Sequence, residues 1–168
     1  MEKVSHAALP QRTFTLTTRD ATAADFEFLY QLKKSAEYDA VHTVFGWHEA
    51  TQRAIHQQEW DEARPTLIEV NQEPAGSILF EHHGEHWYLG RFFLLPSFHG
   101  LGIGSQILTQ LLQPADEQCL PVHLCYLQGN RVSSLYRRFG FVPIREDNHF
   151  VYMIRPPGTP QELPVRDD

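Results

Sequence analysis

Positive charge is scarce in this chain: 14 lysines and arginines stand against 21 aspartates and glutamates, a formal charge of −7 over 168 residues. With no basic cluster to neutralise phosphates, the sequence argues against a nucleic-acid partner. Long apolar runs are also missing. Nothing approaches the ~20 residues of a membrane-spanning helix, and "MEKVSHAALPQR" lacks the apolar centre of a signal peptide. The expectation is a cytoplasmic protein with no membrane partner. Cysteine is limited to Cys119 and Cys125. Their spacing fits no zinc pattern, and a reducing compartment disfavours a disulfide, so two small buried side chains are expected. There is no internal repeat and no linker.

What remains is enough for one domain: 42% of the residues are hydrophobic and 21% charged. "TFTLTTRDAT" alternates as a strand, and Thr22 with Asp25 fits a capping box. Phe26, Leu29 and Tyr30 then mark a buried helix face. "SAEYDAVHTVFGWHEA" has little pattern, and a second helix is expected near residues 48–62. "TLIEV" and "GSILFEHH" read as strands around the turn "NQEPAG", and Gly84 bends the chain into "HWYLGRFFLLP", apolar on both faces like a central strand. Ile103, Ile107, Leu108, Leu111 and Leu112 share one helical face, which Pro114 is expected to close. "PVHLCYL" is the next strand, and a helix from about Asn130 buries Val132, Leu135, Tyr136 and Phe139. Gly140 caps that helix, and two more strands follow. The whole is a mixed α/β sheet with helices on both faces.

The stretch "PSFHGLGIGSQIL" puts glycines at 100, 102 and 104 between a strand and a helix. Free N–H groups and the helix dipole make such a turn an anion site. The spacing is neither the dinucleotide fingerprint nor the triphosphate loop, which needs a lysine. Close helix–strand packing is the alternative reason for the glycines.

Leu94-x-Pro96 followed by His99-x-x-Gly102-x-Gly104 resembles the acetyl-CoA loop of the GNAT N-acetyltransferase superfamily. "NRVSSLYRRFGF" is similar to a second element of that family, with Asn130, Tyr136, Gly140 and Phe141 in place, and "RDAT" with Asp25 and Leu29 looks like its opening. The resemblance implies a GNAT-type acyl-CoA N-acyltransferase fold, with a central splayed, mostly antiparallel sheet. One domain over residues 1–155 is expected, followed by a Pro-rich tail, 156–168. Acetyl-CoA is the implied co-substrate, with no metal. An amine-bearing small molecule or peptide is the implied acceptor, attacked directly in a ternary complex; a homodimer is compatible with the family.

Carried over by residue, the backbone of Phe93 and Leu94 would pair with pantetheine amides. The N–H groups of His99, Gly100, Leu101, Gly102, Ile103, Gly104 and Ser105 would hold the pyrophosphate, and Asn130 would bond near the pantetheine. Tyr136 would lie at the sulfur as catalytic acid, and the Leu94 N–H would meet the oxyanion. His99 stands where Gln or Arg is usual, and Ser133 replaces a common Ala.

Many relatives carry a strand glutamate at the position that is Tyr88 here, and a phenol cannot serve as a base at neutral pH. Glu81, Glu85, His86 and the pair His48–Glu49 stand as replacements, as does water without a single base. "EHHGEH" at residues 81–86 reads as a solvated turn rather than a metal site, since adjacent side chains point to opposite faces. In "VFGWHEATQ", Trp47 is a candidate wall of the acceptor pocket, with Glu49 or Gln52 meeting an ammonium; the alternative is an aromatic plug and a helix start. Arg91 meets either a structural carboxylate or a substrate carboxylate. A non-catalytic acyl-CoA sensor and an interaction module are the rival classes.

Overall fold

The computed structural model of the protein describes residues 13–158. The segment 1–12 and the tail residues 159–168 lie outside the described residues.

Strand β1 (Leu16–Asp20) leads through a 3-10 turn at Ala23–Asp25 into α1 (Phe26–Val44) and α2 (Glu49–Glu62). The capping box forms as expected: the Thr22 N–H donates to Asp25 Oδ2 at 2.8 Å. Three strands follow, β2 (Thr66–Val70), β3 (Glu73–His82) and β4 (Trp87–Leu94). After the glycine loop come α3 (Ile103–Leu111), α4 (Gln113–Glu117), β5 (Val122–Leu127), α5 (Ser133–Arg138), β6 (Val142–Glu146) and β7 (Phe150–Arg155). The seven strands form one sheet in the order β1-β2-β3-β4-β5-β7-β6. Every neighbouring pair is antiparallel except β4–β5.

Two boundaries differ from the sequence reading. The stretch after Leu32 is helical throughout, so α1 runs 19 residues. Its apolar period fades because its inner face borders a cavity rather than a core. Pro114 does not close α3; it occupies the first turn of α4, where its missing N–H costs nothing.

The main core lies on the α3–α5 side of the sheet. Ile103, Ile107 and Leu108 of α3 pack on Leu89, Val122, Leu124 and Met153, joined by Tyr136, Phe139 and Phe141. Burying each such aliphatic side chain contributes about 1.5–3 kcal/mol. Arg155 is 1% exposed and closes this core from below. Its Nε donates to the Phe139 carbonyl at 2.6 Å and its guanidinium forks onto the Asp116 carboxylate, so the buried charge is paired. A smaller cluster holds α1 and α2 against the other face through Leu29, Leu32, Trp60 and Leu67. No helix of the described residues is long and apolar enough to cross a membrane. Cys119 and Cys125 are both free, the first exposed and the second half-buried.

Candidate functional site

The site begins with an irregularity in β4. Leu79 pairs with Gly90 and Ser77 with Phe93, so Ile78 alone opposes Arg91 and Phe92. This is a β-bulge, and Arg91 takes the left-handed φ of 45° that it demands. Two contacts hold the strain. The buried Ser77 hydroxyl donates to the Arg91 carbonyl at 2.8 Å. The Arg91 guanidinium donates to the Ala63 carbonyl at 2.6 Å, and its Nε lies 3.9 Å from Glu59 Oε2. The half-buried Arg91 charge is therefore engaged at the end of α2, although the residue still borders the cavity described below.

The bulge turns β4 away from β5. The two strands pair only at Trp87↔Val122 and Tyr88↔His123 and then diverge. Leu95 N–H donates to the Ala75 carbonyl, which makes Gly76↔Leu94 a non-hydrogen-bonded pair. The Leu94 N–H and C=O thus face the gap. By the same alternation the backbone groups of Phe93 face β3. This corrects the expectation for Phe93: its side chain lines the gap, but its backbone is not free to pair there.

At the rim of the gap sits the glycine loop. Gly100 and Gly102 have φ of 75° and 76°, and a Cβ on either would meet nothing within 4 Å. Gly104 differs: its Cβ would come within 3.3 Å of Leu135 and 3.7 Å of Phe92. The first two glycines shape an open loop, whereas the third allows α3 to pack closely. The backbone N–H groups from Gly100 to Ser105 have no backbone acceptor among the described residues, whereas the His99 N–H, expected with them, donates to the Pro96 carbonyl at 3.1 Å; Gln106 begins the helical ladder by donating to Gly102. Successive free N–H groups around left-handed residues form an anion-binding concavity. His99 stands over this loop with Nε2 2.9 Å from the Leu94 carbonyl oxygen.

Inside the gap, a cavity of about 50 Å³ is bordered by Gly90, Phe93, Tyr126, Asn130, Tyr136 and Glu37. Tyr136 is buried, and burial pushes its phenol well above the usual value, with Tyr126 adding to the effect. It stays protonated across neutral pH. Tyr88 is held neutral by burial in the same way, and its hydroxyl lies 3.6 Å from Cys125 Sγ, so it is no base.

A larger cavity of about 480 Å³ adjoins this one between α1, α2 and the sheet. Its walls include Val41, Phe45, Ile55, Phe93 and Phe150, with Lys33, Glu37, Glu59 and Arg91 as charged members. Lys33 Nζ reaches Glu59 Oε1 at 2.8 Å. Glu37, four residues after Lys33 on α1, has no hydrogen bond or ion pair among the described residues. Burial, reinforced by Glu59 and opposed by Lys33, raises its carboxyl to about 7.

Trp47 and Glu49 do not reach this cavity; Gly46 and His48 beside them do. The Trp47 indole donates to Glu49 Oε2 at 2.9 Å, and Lys34 meets the same oxygen at 3.1 Å. Glu49 is thereby held at about 2, a structural clasp between the helices, chiefly through the Trp47 bond. Glu81, Glu85 and His86 sit at the far end of the β3–β4 hairpin and border neither cavity. There His83 stacks on His86 with centroids 5.5 Å apart, while His82 packs on the edge of Trp87. Glu37 escaped the sequence reading because it lies in the stretch without apolar period. Its one signal is that Lys33 precedes it by a helical turn.

The sequence matches the model of the acetyltransferase (GNAT) family over residues 26–141. No curated protein matches it. Among solved structures, it is similar to the PaiA N-acetyltransferase of Thermoplasma acidophilum in complex with coenzyme A. That match has a TM-score of 0.66 at 14% identity over 84% of this chain and 99% of the other. It is similar to an acetyltransferase of Corynebacterium glutamicum described as histone acetyltransferase HPA2 and related acetyltransferase, with a TM-score of 0.65 at 23% identity over 87% and 98% of the two chains. For the ribosomal-protein-S18-alanine N-acetyltransferase of Escherichia coli the TM-score is 0.62 at 14% identity over 88% and 97%. With its splayed strands and glycine loop matched by a family model over most of its length, this chain belongs to the acetyltransferase (GNAT) family.

Proposed function

We propose that the protein transfers an acetyl group from acetyl-CoA to a primary amine of a small molecule or peptide, by direct attack in a ternary complex. The observation that carries this reading is the gap between β4 and β5, which runs from a ring of free loop N–H groups past Leu94 to Tyr136 and the larger cavity. The donor set fits the co-substrate. The N–H groups of Gly100 to Ser105 suit a pyrophosphate, and the Leu94 edge suits the amides of a pantetheine arm. Asn130 and Tyr136 border the inner end.

Bound there, acetyl-CoA supplies an activated acyl carbon. The Leu94 N–H would donate to the oxygen on which negative charge develops, and the Tyr136 phenol would protonate the leaving sulfur. The gap and the larger cavity adjoin, so a donor in the one and an amine in the other could meet in a ternary complex. The test is release of free CoA thiol from acetyl-CoA with a panel of amines, alongside CoA binding by calorimetry. Binding with no release for any amine would instead support an acyl-CoA sensor, the reading that the tyrosine in place of a β4 carboxylate favours.

A further inference from the structure

An amine arriving at neutral pH is an ammonium ion, and its nitrogen has no lone pair until a proton leaves. The carboxylates that the sequence offered for this task are placed elsewhere or clasped by cations. Glu37 is neither. Glu37 lines both the small cavity beside Tyr136 and the larger cavity proposed for the acceptor. Among the described residues it has no hydrogen-bonding or ion-pair partner, a costly state for a half-buried carboxylate unless a ligand completes it. The neighbouring acid, Glu59, pairs with Lys33 and lies 3.9 Å from Arg91, which leaves the cavity floor one positive charge in excess until Glu37 ionises.

We propose that Glu37 is the catalytic base of this protein, and that its acceptor is a primary amine carried on an apolar body. This rests on the acetyltransferase reading. The ammonium lies against Glu37 and gives it one proton, which the carboxyl returns to solvent through the cavity mouth. The nitrogen lone pair then forms the C–N bond to the acetyl carbon. The C–S bond breaks with its electron pair remaining on sulfur, and Tyr136 protonates that sulfur. The second proton of the nitrogen restores Tyr136. One amide, one thiol and one released proton balance the ammonium and the thioester.

The groups facing Glu37 are consistent with the role. From its own helix comes Lys33, and from α2 comes Glu59. The sheet contributes Arg91, Tyr88, Cys125 and Tyr126, and α5 contributes Tyr136. The other carboxylate is Glu59: Lys33 takes its Oε1, its buried Oε2 makes no hydrogen bond among the described residues, and it borders the larger cavity but not the small one beside Tyr136, where Glu37 borders both. His48, exposed at the cavity rim, is the one imidazole in the wall and serves as the control. Burial holds the Glu37 carboxyl at about 7, so a useful fraction is ionised at neutral pH while its basicity exceeds that of an ordinary carboxylate. Val41, Phe45, Ile55 and Phe150 give the wall a broad apolar surface against which an acceptor's body can pack.

The experiment measures kcat/KM from pH 5.5 to 10 for the full chain with acetyl-CoA and phenethylamine or hexylamine, with spermidine and free lysine as polar comparisons. Expected for the natural chain is a rise through an apparent pKa near 7 and a plateau above pH 8. Glu37→Gln should be about 10²–10³-fold slower at pH 7.5. Its rate should climb without a plateau toward the pKa of the amine, because only amine already neutral in solution can react. His48→Ala should keep the limb near 7, whatever it does to the KM for the amine. CoA affinity, measured by calorimetry, should agree within threefold between Glu37→Gln and the natural chain, which separates a lost base from a lost fold. A Glu37→Gln profile that keeps the limb near 7, or a preference for spermidine or lysine over the apolar amines, overturns the inference and leaves the acetyltransferase reading intact. No thiol release by the natural chain with any amine overturns both.

Discussion

The His99 imidazole holds, through Nε2 at 2.9 Å, the carbonyl oxygen of Leu94, the last residue of β4. That carbonyl belongs to the edge that the bulge frees from β5, so under the proposed function an arriving pantetheine amide would meet it already engaged. A net hydrogen bond is worth about 0.5–1.5 kcal/mol, and part of that is recovered because a carbonyl accepts twice. Replacing the ring should therefore make binding easier. His99→Ala is expected to lower the CoA dissociation constant severalfold and, by the same lost bond, the apo melting temperature by about 1–3 °C. Weaker binding by calorimetry would show instead that the imidazole holds the ligand.

Tyr136 is a different case, because its phenol is buried and polar yet borders only a small cavity. Its raised pKa keeps the proton in place from pH 6 to 9, as a donor to sulfur requires. Tyr136→Phe keeps the ring and its packing on Phe141, so CoA affinity should stay within threefold. Turnover should fall about 10²-fold, the scale of a lost general acid. An unchanged rate on an amine of ordinary reactivity would remove the acid role.

The order of elements was readable because each announces itself locally. Thr22–Asp25 caps a helix, Gly140 ends one, and the period of Ile103, Ile107 and Leu108 builds another. The glycine loop was legible for the same reason. The bulge was not, since it arises from register: nothing local to "LGRFFL" says that one residue of β3 will face two. Arg91 hinted at it as a charge in an apolar strand, without telling that it would brace Ala63 and Glu59. The acceptor side was read least well. Trp47 and Glu49 stood out as chemistry but bond to each other, whereas Glu37 is an ordinary exposed-looking helix residue until the sheet splays beneath it. Cavities erase the periodicity by which a helix shows its inner face.

The three loop glycines should separate under substitution. At Gly102 an alanine meets no neighbour but must hold φ near 76°, which costs about 1–2 kcal/mol. No other part of the chain lies within 4 Å of that methyl, so it projects from the open side of the loop, where the proposed pyrophosphate would approach. Gly102→Ala should thus lose at least tenfold in CoA affinity as well as some stability. Gly104→Ala meets Leu135 at the flexible end of its side chain and has no such strain. It should cost less than about 1 kcal/mol of stability in urea unfolding and change CoA affinity little. Equal losses of CoA affinity at the two positions would place the pyrophosphate elsewhere.

Acid stability tests the joint between β1 and α1. Asp25 accepts two bonds from the Arg19 guanidinium, at 2.7 and 2.9 Å, and one from the Thr22 N–H at 2.8 Å. The Arg19 bonds, chiefly, hold its carboxyl at about 2, below the usual 3.8. A depressed carboxyl contributes stability that is complete above its unfolded pKa and is lost as pH falls through the folded one. The window is therefore pH 4 to 2. Arg19 is 38% exposed, so solvent screens the pair and the contribution is about 1–2 kcal/mol rather than the full shift. Glu27 and Glu49 are also held near 2 by their own partners and titrate in the same window. The difference between the natural chain and Asp25→Asn cancels them. That difference in urea unfolding free energy should be constant from pH 7 to 5 and shrink toward zero by pH 2. A difference that persists at pH 2 would assign the loss to the geometry of the cap instead of the charge.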